Sequence, residues 1–488
     1  MAKYLNPGHS RFDEALNSEI YVDKTEAINY LNRVVKTEQK YVCVSRPRRF
    51  GKTIAANMLA AYYGKGDSRS VFEKMKLAEH ENWDRYLNHF DVVRVVMTEF
   101  IKQNKDVEES LLKMQKLVVR DLKKQYPDVD YFDENDLMQS MSDVYEEKGT
   151  PFVVIIDEWD AVIREVNDAD AQEQYLNLLR SWFKNRNFTP KVVAAAYMTG
   201  ILPIKKDGSQ AAISDFKEYT ILNPGPFTEY TGFTEEEVRK LCDENNMDFG
   251  LMKKWYDGYH FEGMGSIYNP YSVMETIKSG AYESHWQKTS AAENLITYIN
   301  MDIDGLQTEV LKLMADEPVK VNTRGFMNDF ESFKSKEDVI TLLIHLGYLT
   351  YNRSTGIVRI PNEEIRLEFH DILENSKYTR LADLVKTSEL LLSDTLNGNE
   401  EAVAKAIERV RETNYAPQYY NDEQALRYVI KFAYIICVDR FLKIEELPSG
   451  RGIADVVFIP KKDTAYPAII IELKWNKSPE TAMEQIKQ

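Results

Sequence analysis

Short apolar runs alternate with stretches of helical periodicity through the first two hundred residues of the chain. Tyr41–Val44, Asp91–Met97 (DVVRVVM), Phe152–Ile156 and Val192–Thr199 (VVAAAYMT) have the length and apolar character of strands buried on both faces. Between them, residues 104–125 carry Val107, Leu111, Leu112, Met114 and Leu117 at helical spacing. Residues 136–147 predict a further helix, and residues 172–183 put Tyr175, Leu176, Leu179 and Trp182 on one face. This alternation predicts an α/β fold, a right-handed parallel sheet with its ligand at the carboxyl ends of the strands. Residues 1–40 predict an extended arm and a first helix with Ala27, Ile28, Tyr30 and Leu31 apolar. The turn-rich Asn223-Pro224-Gly225-Pro226 closes this first domain at 225.

The pattern changes after 225 to a mostly helical one. Thr234-Glu235-Glu236-Glu237 spells a capping box, in which a threonine hydroxyl and a glutamate satisfy free N–H groups at a helix start. Trp255-Tyr256-Asp257-Gly258-Tyr259-His260-Phe261 predicts an aromatic packing corner around a glycine turn, with a base-stacking platform as the other reading. From Asp338 to Asn362 a helix leads into Tyr348–Tyr351, a Ser-Thr-Gly turn and Ile357–Ile360. That order resembles a winged-helix unit, read here as part of a lid. The middle domain accordingly spans 226–370 and a third domain 371–488.

Candidate chemistry concentrates first in Ser45-Arg46-Pro47-Arg48-Arg49-Phe50-Gly51-Lys52-Thr53-Ile54, the turn between the first strand and an Ala-, Met- and Leu-rich helix. Strand, tight loop, Gly-Lys-Thr and helix form the context of a phosphate-binding loop. Unpaired N–H groups and the helix dipole favour an anion there. Gly51 permits close approach of the backbone, Lys52 reaches the phosphates, and the Thr53 hydroxyl suits Mg²⁺. Arg46 occupies the position where the usual pattern has its first glycine. The strand Phe152–Ile156 ends in Asp157 and Glu158, which places two acids at the same sheet edge. Asp157 fits the Mg²⁺ shell and Glu158 the role of orienting and deprotonating a water. Thr199, ending the neighbouring strand, is either a sensor of the terminal phosphate or a plain strand-end threonine.

A second constellation lies near the C-terminus. Gly450–Phe458 and Ala468–Lys474, joined by the polar loop 461–467, predict a hairpin with Asp455 at the start of one strand. Glu472 and Lys474 alternate on one face of the other. Two carboxylates and an ammonium suit a Mg²⁺-assisted attack of water on a phosphodiester, with Lys474 orienting the water. A cross-strand ion pair would give the same letters.

Composition narrows the reading. Hydrophobic residues make up 43% of the 488, enough for several cores, and length alone suggests about three domains. No run approaches the ~20 apolar residues of a membrane span, and the N-terminus lacks an apolar signal core, so export is not expected. Cys43, Cys242 and Cys437 lie far apart in sequence, which excludes a disulfide scaffold and points to a reducing, cytoplasmic setting. The net charge of −16 argues against a generic nucleic-acid coat. Arg46, Arg48, Arg49 and Lys52 still form one basic cluster, for which nucleotide phosphates are the nearer explanation.

SRPRRFGKT, together with Tyr21–Thr25, the strand ending in Asp157-Glu158, Trp255–Tyr259 and Tyr268-Asn269-Pro270, resembles the bacterial and archaeal AAA-ATPase-like family. That family pairs its ATPase with a C-terminal PD-(D/E)xK nuclease-like domain. The resemblance runs over nearly the whole chain. It implies a P-loop NTPase sheet with helices on both faces, a helical and winged-helix-like lid, and a C-terminal α+β restriction-endonuclease-like domain. It also implies that the missing first glycine is a family trait. Tyr21–Thr25 then corresponds to a segment flanking the adenine pocket, with a simple packing arm as the other reading. ATP and Mg²⁺ are the implied ligands, with Arg48, Arg49, Phe50, Gly51, Lys52, Thr53, Ile54, Asp157 and Thr199 around the nucleotide. Arg180, Arg48 or Arg49 would supply an arginine finger. In the nuclease-like domain Asp455 and Glu472 are the implied metal ligands and Lys474 the catalytic lysine, with Glu446 or Glu445 as an additional acid and Gln485 on the following helix. The family continues past that glutamine, so a domain shortened at its C-terminus is expected. The implied partners are DNA or RNA and further copies of the chain, and no membrane. The rival expectation is a nucleotide-gated switch whose C-terminal domain docks a partner and cuts nothing.

Overall fold

In a computed structural model, the described residues run from 3 to 483. They exclude 102–105, 186–187, 205, 208–209, 212, 214, 262–264, 287–298, 300–302, 315, 327–332, 334, 375–378, 415–425, 428, 431–432, 436, 450–451, 462–465 and 475–481. Two compact units are present, 1–287 with 320–365, and 288–319 with 366–488. No helix among the described residues is long and apolar enough to cross a membrane.

The first unit is organised on a five-stranded parallel sheet. After helices α1 (Ser10–Leu16) and α2 (Ala27–Val34) come β1 (Tyr41–Ser45) and α3 (Lys52–Tyr63), then β2 (Asp91–Val96), α4 (Val107–Gln125) and α5 (Leu137–Lys148). They are followed by β3 (Phe152–Asp157), α6 (Ala169–Phe183), β4 (Val193–Gly200) and the short β5 (Lys217–Tyr219). The strand order is β2-β3-β4-β1-β5. Alternate strand residues enter two separate cores, because successive side chains point to opposite faces. Val42, Val44, Val92, Val153 and Ile155 pack with α2 and α3, whereas Cys43, Val93, Val95, Val154 and Ile156 pack with α4, α5 and α6. The apolar runs are continuous because both faces are covered.

The four apolar strands and the helices between them lie where the periodicity predicts them. Two elements differ. The arm contains α1, whose seven residues are too few to show a period, and β5 reads Lys-Glu-Tyr, too short and polar to signal a strand. The register brings Ser45 beside Gly200, Val44 beside Thr199, and Val96 beside Asp157, so the carboxyl ends of β1, β3 and β4 meet at one edge.

The same unit continues through α7 (Glu235–Glu244), α8 (Phe249–Tyr256), the strands β6 (Tyr259–Phe261) and β7 (Gly265–Tyr268), and α9 (Pro270–Ser279). The helix α10 (Lys336–Leu346) and the antiparallel hairpin β8 (Thr350–Asn352) and β9 (Ile357–Arg359) complete it. The capping box forms as spelled: the Thr234 hydroxyl accepts from Glu237 N–H at 3.3 Å, and the Glu237 carboxylate accepts from Thr234 N–H at 2.8 Å. Around Gly258 the ring of Tyr256 is buried, Tyr259 donates to the Gly347 carbonyl at 2.6 Å, and His260 is exposed. The expected boundary at 225 does not separate compact units. Lys24 near the start donates to the Glu237 carboxylate at 2.6 and 2.7 Å, and Gly232 N–H to the Phe50 carbonyl at 3.2 Å, tying both sides together.

In the second unit, α11 (Thr379–Leu396) and α12 (Glu400–Asn414) precede a three-stranded antiparallel sheet of β10 (Phe441–Ser449), β11 (Gly452–Pro460) and β12 (Ile469–Ile471). The hairpin around 461–467 is therefore present, with Asp455 the fourth residue of its strand rather than the first. Phe458 stacks against Tyr434 and Phe441, with ring centroids 5.8 and 6.2 Å away. Gln485 and most of the segment 478–488 lie outside the described residues.

Candidate nucleotide site

The loop after β1 is held from behind by Arg46. Its side chain is fully buried, and the guanidinium donates to the carbonyls of Ser45 at 3.0 Å, Tyr219 at 3.1 Å and Phe227 at 3.4 Å. Burial disfavours its charge and draws its pKa down to about 9. The arginine therefore occupies the missing glycine's place as a staple joining the loop to β5 and the turn at 225–227. Beyond it Arg49 and Gly51 both take left-handed backbone, with φ of 69° and 80°. A Cβ at Gly51 would meet nothing within 4 Å, so open space rather than packing faces this residue. Its glycine is explained by the positive φ, which side chains disfavour.

Lys52 starts α3 and is buried, with its ammonium donating to the carbonyls of Arg46 at 2.9 Å and Pro47 at 2.6 Å. Burial lowers its pKa to about 8, while Asp160, Asp157 and Glu158 act in the opposite direction. Thr53 and Ile54 are exposed on the next positions. Phe50 is buried edge-on against Tyr259, with ring centroids 5.3 Å apart. Arg49 donates to the His285 carbonyl at 2.7 Å and lies 4.0 Å over the Tyr271 ring. Arg48 is half-buried, and burial lowers its pKa, with the neighbouring Arg164 adding to the effect.

The acids of β3 reach the same edge. Asp157 is fully buried; it accepts from the Thr199 hydroxyl and lies 3.5 Å from Arg94. The Thr199 oxygen also accepts from Glu158 N–H at 3.3 Å, so this residue clamps both acids from β4. Glu158 has a left-handed backbone, φ 55°, and its carboxylate accepts from the Thr98 hydroxyl. Sequence reasoning missed three groups here. Asp160 accepts from Ile201 N–H at 3.0 Å, Leu202 N–H at 2.9 Å and Arg164 Nε at 3.0 Å, which fixes the turn after β4. Arg94 and Thr98 sit on and just after β2, and nothing in DVVRVVM marked its one arginine beyond its interrupting an apolar run. Arg180 is engaged on its own helix by Glu173 and Asn177.

Beside Gly51 opens a mainly apolar cavity of about 160 Å³. Ile20, Tyr21, Val22 and Lys24 of the arm form one wall. Phe50, Ile54 and Met58 form the floor, and Tyr230, Phe233 and Met274 close the far side. The segment Tyr21–Thr25 thus lines a cavity at the loop and is held there by Lys24.

In the second unit the antiparallel register pairs Val456 with Ile471, the residues next to Asp455 and Glu472. Asp455 is buried, accepting from Arg427 at 2.7 Å and from Leu473 N–H at 2.8 Å. Arg427 also donates to Glu446 at 2.7 Å, and Lys474 to Glu472 at 2.6 Å. Cations thus engage each of the expected acids. Among the described residues no three His, Cys, Asp or Glu side chains form a group suited to a metal ion.

Residues 8–209 match the model of a family described as predicted AAA-ATPases. The match spans the loop, β3 and β4. No curated protein sequence matches the chain. Among solved structures, the Aeropyrum pernix ORC2 protein in its ADPNP-ADP complexes is 12% identical with a TM-score of 0.31, covering 73% of this chain and 96% of that one. Cdc6p from Pyrobaculum aerophilum is 10% identical with a TM-score of 0.26, covering 72% and 92%. The Aeropyrum pernix ORC1 protein in complex with DNA is 8% identical with a TM-score of 0.25, covering 77% and 97%. Likeness at this level says nothing of function.

Proposed function

We propose that the chain binds and hydrolyses ATP at the edge formed by β1, β3 and β4. The observation that carries this reading is the buried Lys52 ammonium at the start of α3, with Asp157 and Glu158 close enough to oppose the lowering of its pKa and an apolar cavity next to the same loop. The cavity suits the base. The N–H groups at the start of α3 and Lys52 suit the phosphates, for which Lys52 would exchange its two carbonyl acceptors. The exposed Thr53 hydroxyl and the Asp157 carboxylate are hard oxygen donors of the kind Mg²⁺ takes, so they fit the ion that the family implies. Bound there, Mg²⁺ would neutralise charge on the phosphates. Thr199 holds Asp157 in orientation, and Glu158, aligned by Thr98, is the base that orients and deprotonates the attacking water. Arg48 or Arg49 would stabilise charge developing on the transferred phosphoryl group.

Equilibrium binding of ATP and release of inorganic phosphate test the proposal. Lys52→Ala is expected to abolish binding, and Glu158→Gln to preserve binding while turnover falls. Undiminished turnover in both variants would refute the assignment.

For the second unit we favour the reading in which the nuclease-like sheet docks a partner without cutting, because Arg427 and Lys474 hold the acids that a metal would need. The alternative is Mg²⁺-dependent cleavage of nucleic acid with Asp455 and Glu472 as ligands. Cleavage of DNA or RNA by the full chain with Mg²⁺ and ATP, lost in Glu472→Ala, would reverse that preference.

A further inference from the structure

A second cavity of about 160 Å³ opens where the N-terminal segment crosses α3 and β2, and none of its walls belongs to the nucleotide loop or the apolar cavity. Its lining holds three cations, Lys3, Arg11 and Arg94, against one carboxylate, Glu99. Lys3 is bound to that carboxylate at 2.9 Å. Arg11 is exposed, and no side-chain acceptor for it is found among the described residues. Arg94 reaches Asp157 only at 3.5 Å, and its Nε is buried without an acceptor. Asn57, one turn along α3 from Thr53, has a buried amide oxygen with no donor. An amide turned end for end would present N–H donors there instead.

We propose that this cavity is a binding site for a small tetrahedral oxyanion, a phosphate or phosphoryl group, gripped by Arg11, Arg94 and Asn57. A buried guanidinium nitrogen left without an acceptor, as Arg94 Nε is, is unfavourable unless a counter-ion satisfies it. A guanidinium's planar fork matches phosphate oxygens, and the lining offers two of them. The cavity, about 160 Å³, has room for such an ion. Because Arg94 also faces Asp157, an oxyanion here would compete for that arginine and relieve Asp157 of it. The site itself stands independently of ATP hydrolysis.

The test is isothermal titration of inorganic phosphate, and separately of glycerol phosphate, into the full chain at fixed ionic strength. A Lys52→Ala background removes binding at the nucleotide loop. Saturable binding is expected to survive in Lys52→Ala. It should weaken at least about tenfold when Arg11→Ala or the near-isosteric Asn57→Leu is added, the size expected for losing one charge-assisted contact. Arg11 is exposed, so its removal leaves the fold intact. Binding of phosphate alone supports a site for the free ion, and binding of both supports one that also accepts a phosphoryl group on a larger molecule. Binding lost in Lys52→Ala but retained in Arg11→Ala, or absent from the parent chain, would overturn the proposal.

Discussion

Restoring the glycine of the usual phosphate-loop pattern is expected to damage this protein. Arg46→Gly removes a side chain only 1% exposed together with its bonds to three carbonyls, those of Ser45, Tyr219 and Phe227, of which Phe227 keeps the Thr231 hydroxyl as a donor. Hydrogen bonds from a charged donor contribute about 1.5–3 kcal/mol each, and the 3.4 Å contact falls at or below the lower end. Against them stands the desolvation of an ion with no carboxylate partner, several kcal/mol. The variant escapes that penalty but gains a void, unsatisfied carbonyls and about 0.5–1 kcal/mol of backbone entropy. The balance is a loss of about 3 kcal/mol, which lowers the melting temperature by about 4 °C for a unit spanning 1–287 and 320–365. Arg46→Met, which keeps most of the volume and loses only the donors, should fall between parent and glycine variant. Differential scanning calorimetry of the three proteins decides the matter. A glycine variant melting within about 1 °C of the parent, or above it, would show that the staple contributes nothing.

Four other outcomes follow from the same loop and its surroundings. Lys52 has a folded pKa of about 8, below its ordinary value. Between about pH 8 and 10.5 the unfolded chain then holds more protons, so this residue makes the nucleotide-free protein more stable as pH rises through that window, a slope that Lys52→Met should erase in urea titrations. ATP binding to the parent chain at pH 8.5 should also take up protons, visible as a binding enthalpy that varies with the ionisation heat of the buffer. Thr199→Val, which deprives the buried Asp157 of its hydroxyl donor, should reduce turnover about tenfold to a hundredfold while lowering the unfolding free energy from urea titrations by only about 1–3 kcal/mol. Gly232→Ala forces a φ of 93° on alanine and sets its Cβ 2.4 Å from Ile267 and 3.1 Å from Phe50, so a loss above about 2 kcal/mol is expected in thermal melts.

Sequence pattern made the central sheet legible because its strands are buried on both faces, which leaves unbroken apolar runs such as Phe152–Ile156. The loop was legible for a different reason: Gly51-Lys52-Thr53 are local chemistry at a strand-to-helix turn. Thr234–Glu237 was equally local. What escaped was set by distant partners. β5 is a strand because Val42–Val44 pairs with it, not because Lys-Glu-Tyr prefers to extend. Arg46 was legible only as the replacement of a glycine, and its role as a staple was not, since two of its acceptors lie 173 and 181 residues away. Asp160 stood in plain view after Asp157 and Glu158, yet its role depends on the backbone of Ile201 and Leu202, which no spacing reveals. Arg427 was invisible as the partner of Asp455 and Glu446 for the same reason.

The acceptors of Arg46 also bear on how this protein can be dissected. Residues 8–209 carry the family match, yet Tyr219, Phe227 and Gly232, which tether the loop from the side and from above, come after it. A recombinant fragment cut at 209 would keep every letter of the motif and lose the scaffolding that shapes it. Any minimal version intended to retain nucleotide affinity must therefore reach into the segment holding Tyr259 and Gly347, where the buried ring of Phe50 finds its cover.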